Sequence, residues 1–65
     1  MTRVMVNGEP REAPDTVGAL LVAVNAPLEG VAVAVNGEVV PRGERATRRL
    51  QDGDRVEIIR AVGGG

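Results

Sequence analysis

The chain has 65 residues, 43% of them apolar, and its eight Arg and nine acidic residues leave a net charge of −1. A chain this short forms one small domain, which buries only ~60% of the surface that its unfolded state exposes. The sequence contains no Cys, His, Ser, Lys or aromatic residue. Most side chains used in covalent and acid–base catalysis are therefore missing, as are the usual ligands of zinc, iron–sulfur and haem sites. We expect neither an independent enzyme nor a bound metal or cofactor.

The near-neutral charge and the lack of aromatic stacking platforms argue against nucleic-acid binding. The sequence has no apolar stretch long enough to span a bilayer and no signal segment at its start. We therefore expect a cytoplasmic protein with no nucleic-acid or membrane partner.

An Asn-Gly pair, Asn7-Gly8, lies between two short extended runs, 4–6 and 9–13. Asn-Gly is the strongest short hairpin signal, because both central residues of a type I′ turn need a positive φ. The first two strands are therefore predicted to form a hairpin, and Pro10 places the second of them at a sheet edge.

The next segment has apolar residues at helical spacing: Val17, Leu20, Leu21 and Val24. Asp15 or Thr16 can cap this helix, and Pro27 lies just beyond its end. Gly18 weakens a helix, and we interpret it as a position where the backbone of a strand passes close by.

The second Asn-Gly pair, at 36–37, predicts a hairpin of residues 31–35 with 38–41. Residues 42–50 are polar and predict one helical or 3₁₀ turn on the surface, whose four Arg are interpreted as a solvated face rather than an anion site. The Asp-Gly-Asp sequence at 52–54 predicts a turn and not a metal pair. A last strand is predicted over residues 55–62.

This order predicts a single sheet with one helix across one face. Period-two alternation in the last strand directs Val56 and Ile58 towards the helix, and Ile59 and Ala61 to the opposite face. Exposed apolar residues on so small a domain are typical of a partner surface. Ile59 and Ala61 are therefore candidate partner-contact residues.

Three glycines, Gly63, Gly64 and Gly65, follow the last strand. Gly lacks a Cβ and tolerates nearly any backbone conformation, so this tail is thin enough to enter a narrow active site of another protein. We predict a domain at 1–62 and a flexible glycine tail at 63–65, with the chemistry at the terminal carboxylate.

Several segments together resemble one family in their order and spacing: VMVNGE at 4–9, VAVNGEVVPR at 33–42, LQDGDRVEI at 50–58 and the final Gly64-Gly65. They resemble ubiquitin-like β-grasp proteins and, within them, the bacterial sulfur carrier proteins of thiamin biosynthesis. The resemblance covers nearly the whole chain. It implies an α+β β-grasp fold, with a mixed sheet of four to five strands and one helix packed across one face.

The resemblance also implies a protein cosubstrate rather than a catalyst. In this family an ATP-dependent activating enzyme adenylates the terminal carboxylate, and a sulfurtransferase persulfide then supplies the sulfur of a thiocarboxylate. Thiazole synthase receives that sulfur. By analogy, Gly65 is the residue that is adenylated and then becomes 1-thioglycine, and Gly63 and Gly64 are the residues that thread into the partners.

Related roles remain open at this level. The same fold and tail occur in sulfur carriers for molybdopterin, in carriers for tRNA thiolation and in ubiquitin-like modifiers of lysines. A β-grasp interaction module with an inert tail is a further alternative.

Overall fold

The computed structural model describes residues 2–27 and 29–60. Its elements follow the predicted order: β1 (Thr2–Val6), β2 (Glu9–Ala13), α1 (Val17–Ala23), β3 (Val31–Val35), β4 (Glu38–Val39), a 3₁₀ turn (Arg42–Glu44) and β5 (Arg55–Arg60). Strand β4 is shorter than predicted. It ends before Val40, whose side chain is buried in the core, and before Pro41, which has no N–H to donate to a ladder.

The five strands form one sheet in the order β2-β1-β5-β3-β4. Strands β1 and β5 are parallel, and the other neighbouring pairs are antiparallel. The sheet is therefore mixed, as expected for the predicted fold class. Strand β2 lies at an edge, where the missing N–H of Pro10 costs no interior ladder bond.

Both Asn-Gly pairs form the predicted turns. Asn7 and Gly8 have φ values of 50° and 86°, and Asn36 and Gly37 have 53° and 85°. These positive values are those of type I′ turns, whose twist matches that of the flanking strands.

Side-chain and backbone caps define the ends of helix α1. The Thr16 hydroxyl accepts a hydrogen bond from the Ala19 N–H at 3.2 Å, so Thr16 is the N-cap. At the other end Asn25 has a φ of 62°, and the Ala26 N–H donates to the Leu21 carbonyl at 2.9 Å. This 6→1 bond belongs to a Schellman motif, which stops the helix before Pro27.

The core lies between α1 and the facing side of the sheet. Among the described residues it consists of ten buried apolar residues: Val4, Ala13, Val17, Leu20, Leu21, Val33, Val35, Val40, Leu50 and Val56. The helical spacing of the sequence predicted its α1 members, and alternation in the last strand predicted Val56.

The segment after the 3₁₀ turn packs directly on the first turn of α1. The Val17 N–H donates to the Arg48 carbonyl at 2.9 Å. The Gly18 N–H donates to the Arg45 carbonyl at 2.8 Å. Backbone carbonyls from this segment thus satisfy two N–H groups that have no partner inside the helix.

This contact explains Gly18 and corrects its interpretation. A Cβ at position 18 would lie 3.3 Å from the Ala46 Cα and 3.3 Å from the Arg45 carbonyl oxygen. The expected close backbone is present, but it belongs to the segment that follows the 3₁₀ turn and not to a strand. Periodicity could not show this, because the approaching residues are more than 25 positions away in the sequence.

We expect Gly18→Val to lower the free energy of unfolding by about 1–3 kcal/mol, because its side chain has no room against the facing backbone. Ala19→Val is the matched control, since Ala19 is exposed on the same helical turn and should change stability by less than about 0.7 kcal/mol. Urea denaturation of both variants measures the difference. Equal losses would show that the contact at position 18 does not constrain side-chain size.

The arginines of residues 42–50 do not all form the solvated face that was predicted. Arg45 is only partly exposed, and its guanidinium donates to the Val31 carbonyl at 2.6 Å. A long Arg side chain can cover apolar surface with its stem while its head finds a carbonyl. Arg45 therefore joins this segment to the start of β3.

Candidate functional site

Strand β5 is the element that leads into the glycine tail. It is the middle strand of the sheet, with β1 on one side and β3 on the other. Pairing with β3 extends to Arg60, which lies opposite Val31. Pairing with β1 ends at Val56, so the backbone of β3 is the neighbour that supports β5 as far as Arg60.

The two faces of β5 differ as the alternation predicts. Val56 is buried and Ile58 is partly buried against the core. Ile59 points to the other face and is 58% exposed. The register with β3, in which Ile59 lies opposite Ala32, fixes this orientation.

Ile59 belongs to a larger apolar area on the face of the sheet that α1 does not cover. We define the open-face patch as four residues on β3, β4 and β5: Ala32, Ala34, Val39 and Ile59. Ala32 pairs with Ile59, and Ala34 pairs with Val39, which is 73% exposed. Arg55 and Glu57 share this face of β5, so the patch is bordered by charges of both signs.

Sequence reasoning found Ile59 but missed the rest of the open-face patch. The signal was present in β3, where small and branched residues alternate as Val-Ala-Val-Ala-Val. Val33 and Val35 are buried, so the two Ala residues lie on the open face. Val39 could not be assigned to it from sequence, because its face depends on the register with Ala34.

The remaining predicted site residues lie outside the described residues: Ala61, Gly63, Gly64 and Gly65. Their assigned roles, and the boundary between the domain and its tail, stay predictions. The structure describes the strand that precedes them as far as Arg60.

The Asp-Gly-Asp turn has a structural role. Gly53 has a φ of 89°. The Asp52 carboxylate accepts from the Arg3 N–H at 2.8 Å, and the Asp54 carboxylate accepts from the Gln51 N–H at 2.8 Å. Over residues 2–27 and 29–60, no three potential ligand residues are grouped as a metal site.

The described part of the chain contains no helix that could span a membrane. Its one α-helix, Val17–Ala23, has seven residues, and nothing there is long and apolar enough to cross a bilayer.

A five-stranded mixed sheet with one helix across one face is the ubiquitin-like β-grasp architecture. The crystal structure of the thiamine biosynthesis protein ThiS from Geobacter metallireducens superposes with a TM-score of 0.82 at 36% identity. The match covers 98% of this chain and 100% of that one. The fold class is therefore confirmed.

The chain belongs to the ThiS family, which matches residues 4–65. It is 40% identical over 63 residues to the sulfur carrier protein ThiS of Thermus thermophilus, covering 95% of this chain and 98% of that protein. It is 36% identical over 53 residues to the sulfur carrier protein ThiS of Escherichia coli, covering 82% and 80%.

A second kind of relative is much longer. The chain is 40% identical over 65 residues to a thiazole synthase of Paramagnetospirillum magneticum, covering 97% of this chain but 20% of that protein. A thiazole synthase of Magnetococcus marinus matches over the same shares. The chain thus spans about a fifth of the length of these two relatives.

Proposed function

We propose that the chain is a sulfur carrier for formation of the thiazole of thiamin, and that its reactive group is the carboxylate of Gly65. The observation that carries this proposal is the family match, which runs to Gly65. The nearly full-length likeness to the Thermus thermophilus sulfur carrier supports it. On this account the protein is a consumed and regenerated cosubstrate, acting in the cytoplasm.

The first step is activation of the carboxylate. A carboxylate resists nucleophilic attack, because attack must add negative charge to an anion. An oxygen of the Gly65 carboxylate attacks the α-phosphorus of ATP on an activating enzyme, and pyrophosphate leaves. The resulting acyl-adenylate has AMP as a good leaving group.

Sulfur then replaces AMP. The terminal sulfur of a sulfurtransferase persulfide attacks the acyl carbon, and AMP leaves with the bonding electrons. A second thiol then attacks the sulfurtransferase sulfur of the remaining S–S bond and forms a disulfide with it, and the other sulfur leaves on Gly65 as a thiocarboxylate. The carried sulfur is bound to the main-chain terminus, which explains why a chain without Cys can perform this task.

Thiazole synthase is the proposed acceptor of the sulfur. Two relatives named thiazole synthase contain a segment similar to 97% of this chain, which supports a direct link between the two proteins. Gly63 and Gly64 are the proposed threading residues. Their lack of side chains lets the tail pass through narrow channels in both partners.

The structure supports separate roles for the tail, which carries the reactive group, and for the folded domain, which contacts the partners. Strand β5 ends beside the open-face patch, whose Ile59 lies within six residues of Gly65. A partner that encloses the glycines must approach this stretch of strand. We therefore propose that Ile59, together with Ala61, contacts the partners.

Incubation of the full chain with an activating enzyme of this pathway and ATP tests the proposal. An acyl-adenylate and ATP–pyrophosphate exchange are the expected results. Absence of both with a demonstrably active enzyme would favour the interaction module with an inert tail.

A further inference from the structure

Asn7 does more than form a turn. Its backbone N–H donates to the Val56 carbonyl at 2.9 Å, as part of the parallel ladder between β1 and β5. The paired register of these strands ends at Val6 and Val56. At Gly8 the chain turns away into β2, so the backbone of β1 does not accompany the second half of β5.

The Asn7 side chain continues the ladder where the backbone stops. Its Oδ1 accepts from the Ile58 N–H at 2.8 Å, and its Nδ2 donates to the Ile58 carbonyl at 3.3 Å. One side-chain amide thus serves both polar groups of one residue, as the N–H and C=O of a single residue on an antiparallel neighbouring strand would. This adds a further tie to β5, two residues before its end at Arg60.

The second Asn-Gly turn provides an internal comparison. The Asn36 Oδ1 accepts from the Arg55 N–H at 2.9 Å, and its Nδ2 donates to the Asp54 carboxylate at 2.9 Å. Asn36 therefore makes the same number of side-chain hydrogen bonds from the same type of turn. It holds the start of β5, whereas Asn7 holds the part nearest to the glycine tail.

We propose that Asn7 is a positioning residue, which fixes the direction in which β5 delivers residues 61–65 to the activating enzyme. The inference rests on the proposed function. Pairing with β3 supports β5 as far as Arg60, and the Asn7 amide supplies the opposing tie beyond Val56. Without the two Asn7 hydrogen bonds, the part of β5 beyond Val56 is held mainly by its pairing with β3, and its direction relative to the sheet becomes more variable.

The expected kinetic effect follows from this geometry. If the part of β5 beyond Val56 is mobile, it must become ordered when the tail enters the active site. The entropy lost in that ordering weakens binding. Once the tail is threaded, the reacting carboxylate is unchanged. Loss of the Asn7 amide should therefore raise KM for the carrier in adenylation and leave kcat nearly constant.

Asn7→Gly and Asn36→Gly form the matched pair that tests the proposal. Each removes one side-chain amide, and Gly keeps the positive φ of the turn. For Asn7→Gly we expect KM to rise ~10-fold, from the loss of two hydrogen bonds near the tail. For Asn36→Gly we expect KM to rise by less than about 3-fold, because its two hydrogen bonds are lost at the other end of β5. The change in melting temperature should be similar in the two variants, since each loses two hydrogen bonds.

Amide hydrogen exchange of Ile58, measured by NMR on the free proteins, reports on the tie itself. Its rate should rise at least ~10-fold in Asn7→Gly relative to Asn36→Gly, because the N–H has lost its acceptor. Equal KM values for the two variants, or a fall in kcat with constant KM, would overturn the inference. A wild-type chain that is not adenylated at all would instead overturn the proposed function on which the inference rests.

Discussion

Deletion of Gly65 is expected to abolish ATP–pyrophosphate exchange by the activating enzyme while leaving the fold intact. The deletion moves the terminal carboxylate back by ~3.5 Å, the length of one extended residue. A misplacement of only ~1 Å at a reacting centre can cost ~10²-fold in rate. Adding one Gly after Gly65 should abolish exchange as well, because the reactive carboxylate is then displaced in the other direction.

Stability provides the control for this prediction. Among the described residues the buried core lies between Val4 and Val56, and Gly65 has no side chain to add to it, so we expect neither change at residue 65 to weaken the core. Circular dichroism and the melting temperature should match those of the wild-type chain. Exchange that survives the deletion would exclude Gly65 as the adenylated residue.

Ile59→Asp is expected to weaken binding to the activating enzyme by one to two orders of magnitude. Burial of an Ile side chain contributes ~1.5–3 kcal/mol, and each ~1.4 kcal/mol is a tenfold change in affinity. Ile59 is 58% exposed in the free chain, so the substitution should alter the melting temperature little. Isothermal titration calorimetry with the activating enzyme measures the change.

Val22→Asp is the matched control for this effect. Val22 is 73% exposed, but it lies on helix α1, on the other side of the sheet from the open-face patch. Val22→Asp introduces the same charge at a similarly exposed apolar position. We expect its affinity for the activating enzyme to stay within about threefold of the wild-type value, because the change lies away from the proposed contact. Equal weakening by both variants would show that added charge, and not the open-face patch, decides binding.

Local sequence signals predicted much of this fold because they report on local geometry. Both Asn-Gly pairs required positive φ, and both have it. The spacing of Val17, Leu20 and Leu21 gave the buried face of the helix. Strand alternation placed Ile59 on the open face before any register was known.

Long-range contacts were the part that sequence could not supply. The Asn-Gly pairs were interpreted only as turns, whereas their Asn side chains also bind β5. The Asn7 contact spans 51 positions of sequence, and no periodicity connects such residues. Arg45 was assigned to a solvated face for the same reason, since its acceptor on β3 is brought close only by the fold.

The mass of the chain after a complete sulfur-transfer reaction tests the central claim most directly. The reaction contains the full chain, ATP, the activating enzyme, a sulfurtransferase and a sulfur source. We predict that the intact mass rises by the difference between sulfur and oxygen, and that fragmentation assigns this increase to Gly65. A chain found joined to lysines of other proteins, with no free thiocarboxylate, would contradict the carrier account and indicate a protein modifier.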